Sequence, residues 1–188
     1  MALLIESLLR TTPFTETDRE IILRGIIQLS EADGIVDPRE REYLKKFVTE
    51  FMPETDPTDP KYSGTKINTD DVRTLSSDDV RRCLVGFLTI TAYADEEFAD
   101  EERKFISDLM GDTIDSKSVT EIQRAVRQFL YRRIVFAFAF KNHYLHPDFA
   151  REMARRFDIS DDDAVFINQG VFSALMAIKA PTDEVSDG

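Results

Sequence analysis

Two stretches of this chain, 62 residues apart, carry the same pattern of apolar and acidic residues, and that repetition constrains the fold more than any other feature. LSEADGIVDPREREYLKKF, from Leu29, aligns with TAYADEEFADEERKFISDL, from Thr91. The alignment pairs Ala32 with Ala94, Asp33 with Asp95, Val36 with Phe98 and Glu40 with Glu102. It also pairs Tyr43 with Phe105, Leu44 with Ile106 and Phe47 with Leu109. A worn third copy, FKNHYLHPDFAREMARRFDIS, follows after a further 47 residues. There Asn142 stands at the Asp position, Leu145 at the Val36 position, Pro147 over Pro38, and Phe149 where Glu40 sits. Each unit reads as a helix, a tight acidic turn and a second helix with a Glu in its first turn. The first spacing exceeds the second by 15 residues, which the irregular segment 53–76 accounts for.

The rest of the chain is also helical in pattern. Leu3, Leu4, Ile5, Leu8 and Leu9 share one face of a short helix that ends before Pro13. Thr15 opens a second helix, in which Ile22, Ile26 and Leu29 recur at helical spacing. Asp37-Pro38-Arg39-Glu40 is a start signal for a third, with Asp as N-cap and Pro at the first helical position. Residues 53–76 show no period, contain three prolines and Gly64, and read as one long loop, pinned or disordered. A helix starts near Ser77, and another near Asp100 runs to Gly111. Ser118 with Glu121 reads as a capping box for the longest helix, about 119–141, whose FLYRRIVFAFAF half predicts burial on several sides. Pro147 begins the next helix. Ser160 with Asp163 caps the last, whose Phe166, Val171, Phe172, Leu175 and Met176 are expected to pack inward. The expectation is an all-α fold of about eight helices with the two acidic units related by an approximate two-fold axis. Ile26, Leu44, Phe47, Leu88, Phe105 and Ile106 should lie buried together with Phe136 and Phe140.

Composition narrows the function classes. Among 188 residues there are 24 Lys+Arg and 36 Asp+Glu, for a net charge of −12. That sign is wrong for a surface that draws its affinity from neutralising phosphates, so no nucleic-acid role is expected. Residues 117–156 nonetheless hold 9 basic and 3 acidic side chains, and this basic stretch suits an acidic partner or the acidic part of the same chain. Cys83 is the only cysteine, which excludes an intrachain disulfide. No apolar run is long enough to span a membrane, and MALLIESLL carries Glu6 where a signal peptide needs an uncharged core. We therefore expect no membrane insertion and a cytoplasmic location.

The acidic turns are the candidate site. Asp33 and Asp95 each follow the carboxyl end of a helix, where the macrodipole is already negative, and Glu31, Glu96 and Glu97 crowd the same ends. Carboxylates so placed repel one another unless a cation lies close. Glu40 and Glu102 stand at the amino end of the next helix and can point back into the turn. Hard divalent cations take several oxygen ligands of this kind, which makes Asp33, Asp37, Glu40, Asp95 and Glu102 candidate metal ligands. The competing reading is that Asp33 and Asp37 only terminate and cap helices. Neither turn is an EF-hand: counted from Asp33, position 12 is Leu44, and from Asp95 it is Ile106. No Glu-x-x-His pair for a di-iron bundle and no cysteine cluster for zinc is present.

EADGIVDPREREYL and YADEEFADEERKFI together resemble the TerB and TerB-like tellurite-resistance family, over roughly residues 16–178. The family signature is an Ala-Asp-Gly turn with a Glu at the start of the next helix. Ala32-Asp33-Gly34, Val36 and Glu40 match it; Ala94-Asp95, Phe98 and Glu102 match except that Glu96 replaces Gly. Asn142 and Phe149 have lost both acids in the third unit. The resemblance implies a single helical domain over residues 1–180, followed by a tail at 181–188. It further implies no catalytic chemistry, a metal-binding acidic patch of unidentified divalent ion, and a role in stress response or as an interaction module beside a protein partner.

Catalytic motifs are otherwise missing from the sequence. Cys83 lies on an apolar face with no near histidine and reads as a core residue. There is no Gly-rich phosphate loop, nucleophile elbow or His-Glu-x-x-His motif. His146-Pro147-Asp148 is the J-domain tripeptide, but it fits better as a helix start. The expected function is a non-enzymatic TerB-like domain acting through cation binding and protein contacts; the alternative is a metal-free interaction module that docks partners through its loop or charged faces.

Overall fold

The computed structural model describes residues 5–31, 38–53, 55–57, 59–62, 64–93 and 98–179, without the side chains of 38–41, 60 and 179. Among them are nine α-helices, one 3-10 turn and no strand, so the fold is all-α as the periodicity predicts. The helices are α1 (Ile5–Thr11), α2 (Glu16–Ser30), α3 (Pro38–Phe51), α4 (Thr69–Arg73), α5 (Asp78–Ala92), α6 (Asp100–Met110), α7 (Ser116–Asn142), α8 (Pro147–Arg156) and α9 (Asp161–Lys179). The chain divides into two compact units, Met1–Val126 and Arg127–Gly188, with the boundary inside α7.

In the first unit α2 and α5 form the principal packing pair. Two glycines set how closely helices and loop approach there. A methyl group on Gly25 would lie 2.8 Å from Ile67 Cδ1 and 3.3 Å from Leu88 Cδ2, and one on Gly86 would lie 3.1 Å from Ile5 Cδ1. Phe87 is fully buried among Phe14, Phe47 and Phe51, with ring centroids 6.0–6.4 Å away. Equivalent positions of the repeat are buried alike: Ile26 and Leu88, Leu44 and Ile106, Phe47 and Leu109. Phe105 and Phe136 are only half-buried, however, and Phe140 is exposed, so the expectation for those three was wrong.

Residues 53–76 are not one plain loop. They contain a 3-10 turn at Pro60–Tyr62 and the short helix α4. Asn68 caps α4 with its side chain, accepting from Asp70 N and Asp71 N, while Asp71 reaches back to Asn68 N at 2.9 Å. Thr55, Tyr62, Ile67, Val72 and Leu75 are buried, so this segment is pinned by its own buried side chains.

A second anchor is Asp18. It is 1% exposed and belongs to a capping box with Thr15. Its carboxylate accepts from Thr15 N (2.8 Å), Thr15 Oγ1 (2.7 Å), Ser76 N (2.9 Å) and Ser76 Oγ (2.6 Å), which ties the start of α2 to the residue pair before α5. Burial pushes this carboxyl up, but the bonds from Ser76 and Thr15 together outweigh it and hold it below the ordinary value.

In the second unit His146 caps α8, its Nδ1 accepting from Asp148 N at 3.3 Å, with Pro147 at the first helical position. α8 closes with Asp158 in the left-handed region at φ 49° and Ile159 N donating to Ala154 O at 2.8 Å, a Schellman ending. Tyr131, fully buried, donates to Asn168 Oδ1 at 3.0 Å and so joins α7 to α9. Phe149, which replaces the repeat's Glu, stacks on Phe138 at 4.0 Å. Two expectations fail here. α7 starts at Ser116, and its first turn is held by Asp115, which accepts from Ser118 N and Oγ, rather than by a Ser118 cap. In α9 only Val171 and Leu175 of the expected inward set are buried; Phe166, Phe172 and Met176 are exposed, because α9 is apolar around most of its circumference and its sequence does not say which side is covered.

Candidate functional site

Of the five candidate ligands, Asp33, Asp37 and Asp95 lie outside the described residues, as does the Glu40 side chain. Glu102 is described. It sits at the third position of α6, and its Oε2 accepts from Ala99 N at 2.9 Å. One carboxylate oxygen is therefore committed to the amino end of its own helix, the position where a negative charge is also favoured by the macrodipole. Glu31, at the end of α2, is exposed and donates its backbone N–H to Ile27 O at 3.0 Å. Among the described residues no group of three or more His, Cys, Asp or Glu side chains is gathered as metal ligands. His143 and His146 do not change this: His143 stands at φ 57° in the link to α8, and His146 is used as a cap.

At the carboxyl end of α2 the structure opens a cleft of about 530 Å³. It is lined by Arg24, Ile27, Gln28 and Glu31 of α2, by Tyr62, Gly64, Thr65 and Lys66, and by Phe105 of α6. Glu31 is the residue immediately before 32–37, and Phe105 lies three residues beyond Glu102. The leading helix of one repeat unit and the trailing helix of the other thus line the same hollow. Its volume is in the range of ligand pockets, and its lining mixes Ile27, Tyr62 and Phe105 with charged and polar side chains.

The cleft is built by a strap. Arg24 Nε donates to Thr65 O at 3.0 Å and its Nη2 to Lys66 O at 3.1 Å, while Gln28 Oε1 accepts from Ile67 N at 2.8 Å. Glu20 and Asp71 stand 3.7 and 3.8 Å from the same guanidinium. These bonds hold 65–67 along the side of α2 and leave Gly64, at φ 91°, at the turn into the strap. Arg24, Ile27, Gln28 and Glu31 are spaced as one helix stripe opposite Ile22, Ile26 and Leu29. The signal in the sequence was Ile27, an apolar residue on the polar face, and it was missed.

Cys83 is fully buried, its Sγ donating to Leu8 O at 3.8 Å, and burial pushes its thiol up to about 12. It is a core residue. No helix among the described residues is long and apolar enough to cross a membrane. No family model, curated protein or solved structure matches the chain.

Proposed function

We propose that the chain is a non-enzymatic, TerB-like binding module of the stress-response type, which holds a divalent cation at its acidic turns and receives a protein partner in the adjoining cleft. The candidate ligands are Asp33, Asp37, Glu40, Asp95 and Glu102. The observation that carries this reading is the shared cleft: Glu31, which immediately precedes the first acidic turn in sequence, and Phe105, one helical turn beyond Glu102 in α6, line one hollow. The matched burial of repeat positions supports the relation between the two units on which the reading rests.

The metal-free interaction module is the second reading, and one observation favours it. Glu102 already has a structural use in capping α6, as acids in a first helical turn commonly do. Titration calorimetry with Ca²⁺, Mg²⁺, Mn²⁺ and Zn²⁺ separates the two. A cation that binds the native state raises the melting midpoint as its concentration passes its dissociation constant. Asp33→Asn and Asp95→Asn should then abolish that rise and leave the cation-free melt nearly unmoved. Binding by none of the four ions below millimolar concentration overturns the metal reading and leaves the interaction module.

A further inference from the structure

Helix α9 carries a run without charge that ends only at its last residue. From Ala164 to Ile178 no side chain is charged, although the helix surface there is open over several turns. Phe166 is 77% exposed and Met176 69%, with Val165 and Phe172 also exposed. Val165, Gln169, Phe172 and Met176 follow one another at spacings of four, three and four residues, which places them in a single stripe along the helix. Phe166 and Ser173 border that stripe on one side, and Ala164, Val171 and Leu175 turn away into the unit's own core. A solvated helix face is ordinarily charged; this one is built like a seam.

We infer that this face of α9 is the contact between two copies of the chain, paired antiparallel about a two-fold axis near residues 170 and 171. Two features select a second copy as the occupant. The first is self-complementarity. With the axis at that point, Val165 of one copy meets Met176 of the other, and Phe172 meets Gln169, so every member of the stripe finds a member of the same stripe. The acids Asp161–Asp163 at one end of the helix are brought beside the end at which Lys179 stands in the sequence, matching charge to charge. A parallel pairing sets the three acids against three acids.

The second feature is area. Taking roughly 150–250 Å² for an aromatic side chain, the fractions exposed at Phe166 and Phe172 amount to about 240 Å² per copy. Two copies bury about 480 Å² from these rings, and Val165 and Met176 with the flanking Gln169 and Ser173 add to it, leaving the total below the ~1,200–2,000 Å² of stable interfaces. The pairing is therefore a weak, concentration-dependent dimer rather than an obligate one. It is separate from the cleft and from the acidic turns, so it stands or falls independently of the function proposed above.

Sedimentation equilibrium over the low to high micromolar range should show the mass rising from the 21.6 kDa of one chain toward twice that value. Phe166→Asp combined with Met176→Asp should hold the mass at one chain at every concentration while the circular-dichroism melt stays in place. Should that variant fold poorly, the register is read directly by crosslinking. Cys83 is buried, so Val165→Cys and Met176→Cys each add one accessible thiol. Under mild oxidation a mixture of the two should give the mixed disulfide several-fold over either homodisulfide. A wild type that remains a single chain throughout, homodisulfides in excess, or binding of the face to anionic vesicles without self-association would each overturn the proposal.

Discussion

The first unit and the second use similar helices to opposite effect at their surfaces. In Met1–Val126 the apolar residues of α2, α3, α5 and α6 are nearly all consumed by packing, and glycines at 25 and 86 bring neighbouring side chains within 2.8–3.1 Å of where a methyl group would stand. In Arg127–Gly188 the buried set is smaller, and α9 leaves Val165, Phe166, Phe172 and Met176 in solvent. The repeat shows the same divergence at a single position. Glu102 caps α6 in the second copy of the motif, whereas Phe149, at the equivalent place in the third, stacks on Phe138 of α7. A unit that has exchanged its acid for an aromatic ring has exchanged a surface feature for a packing one. The lesson is that copies of one motif in one chain specialise, one keeping an acid that caps its helix and another replacing it with a ring that packs on a neighbouring helix.

The sharpest way to break this contrast is a pair of truncations. Phe87→Ala should cost about 3–5 kcal/mol in urea unfolding, as expected for a large aromatic removed from a closed core. Leu175→Ala, in the second unit, should cost about 2–3 kcal/mol because one side of its helix is open and can relax. Equal losses would show the two units to be packed alike.

Asp18 gives the next effect in size. Asp18→Asn keeps the shape but weakens the acceptor for Ser76 and Thr15, and should cost about 1–2 kcal/mol at neutral pH. The pH dependence has a definite sign. Because the folded-state carboxyl is held below its ordinary value of 3.8, its contribution is fully present above that value. It is lost as pH falls through the lower folded-state value, and the Asn variant should lack this part of the acid-induced loss. Identical acid profiles for the two proteins would show that Asp18 is not the group responsible.

The smallest effect is the most diagnostic for the open face. Phe166→Ser should change unfolding stability of the isolated chain by no more than about 0.5 kcal/mol, since an exposed ring contributes little to its own fold. A loss of several times that amount would place Phe166 in a core and remove the contrast.

Local chemistry made much of this fold legible. Thr15 with Asp18, Ser77, His146 with Pro147, and Ser160 with Asp163 all start helices where their caps stand in the sequence. What local pattern could not resolve was choice between near neighbours. Asp115 and Ser118 are both good caps three residues apart, and the hydrogen bond from Ser118 to Asp115 decides for the earlier one. The helix α4 is five residues long, too short to show a period, and its capping box at Asn68 and Asp71 sits in a stretch rich in prolines. The cleft was illegible for a different reason. Its strap joins Arg24 to residues about 40 positions later through backbone carbonyls, and a carbonyl leaves no trace in the sequence. The facing of α9 failed because an almost uniformly apolar helix offers several equivalent faces to a core.

Burial of the chain's one cysteine turns the protein into its own clock. Cys83 is sealed under α1, and its thiol reacts only when that part of the first unit opens. The rate at which a thiol reagent labels the native protein therefore reports the frequency of that opening, without any added probe. Slow labelling limited by opening would measure how often α1 lifts from α5. Measured beside global unfolding, it tells whether the amino-terminal helix leaves alone or only with the whole unit.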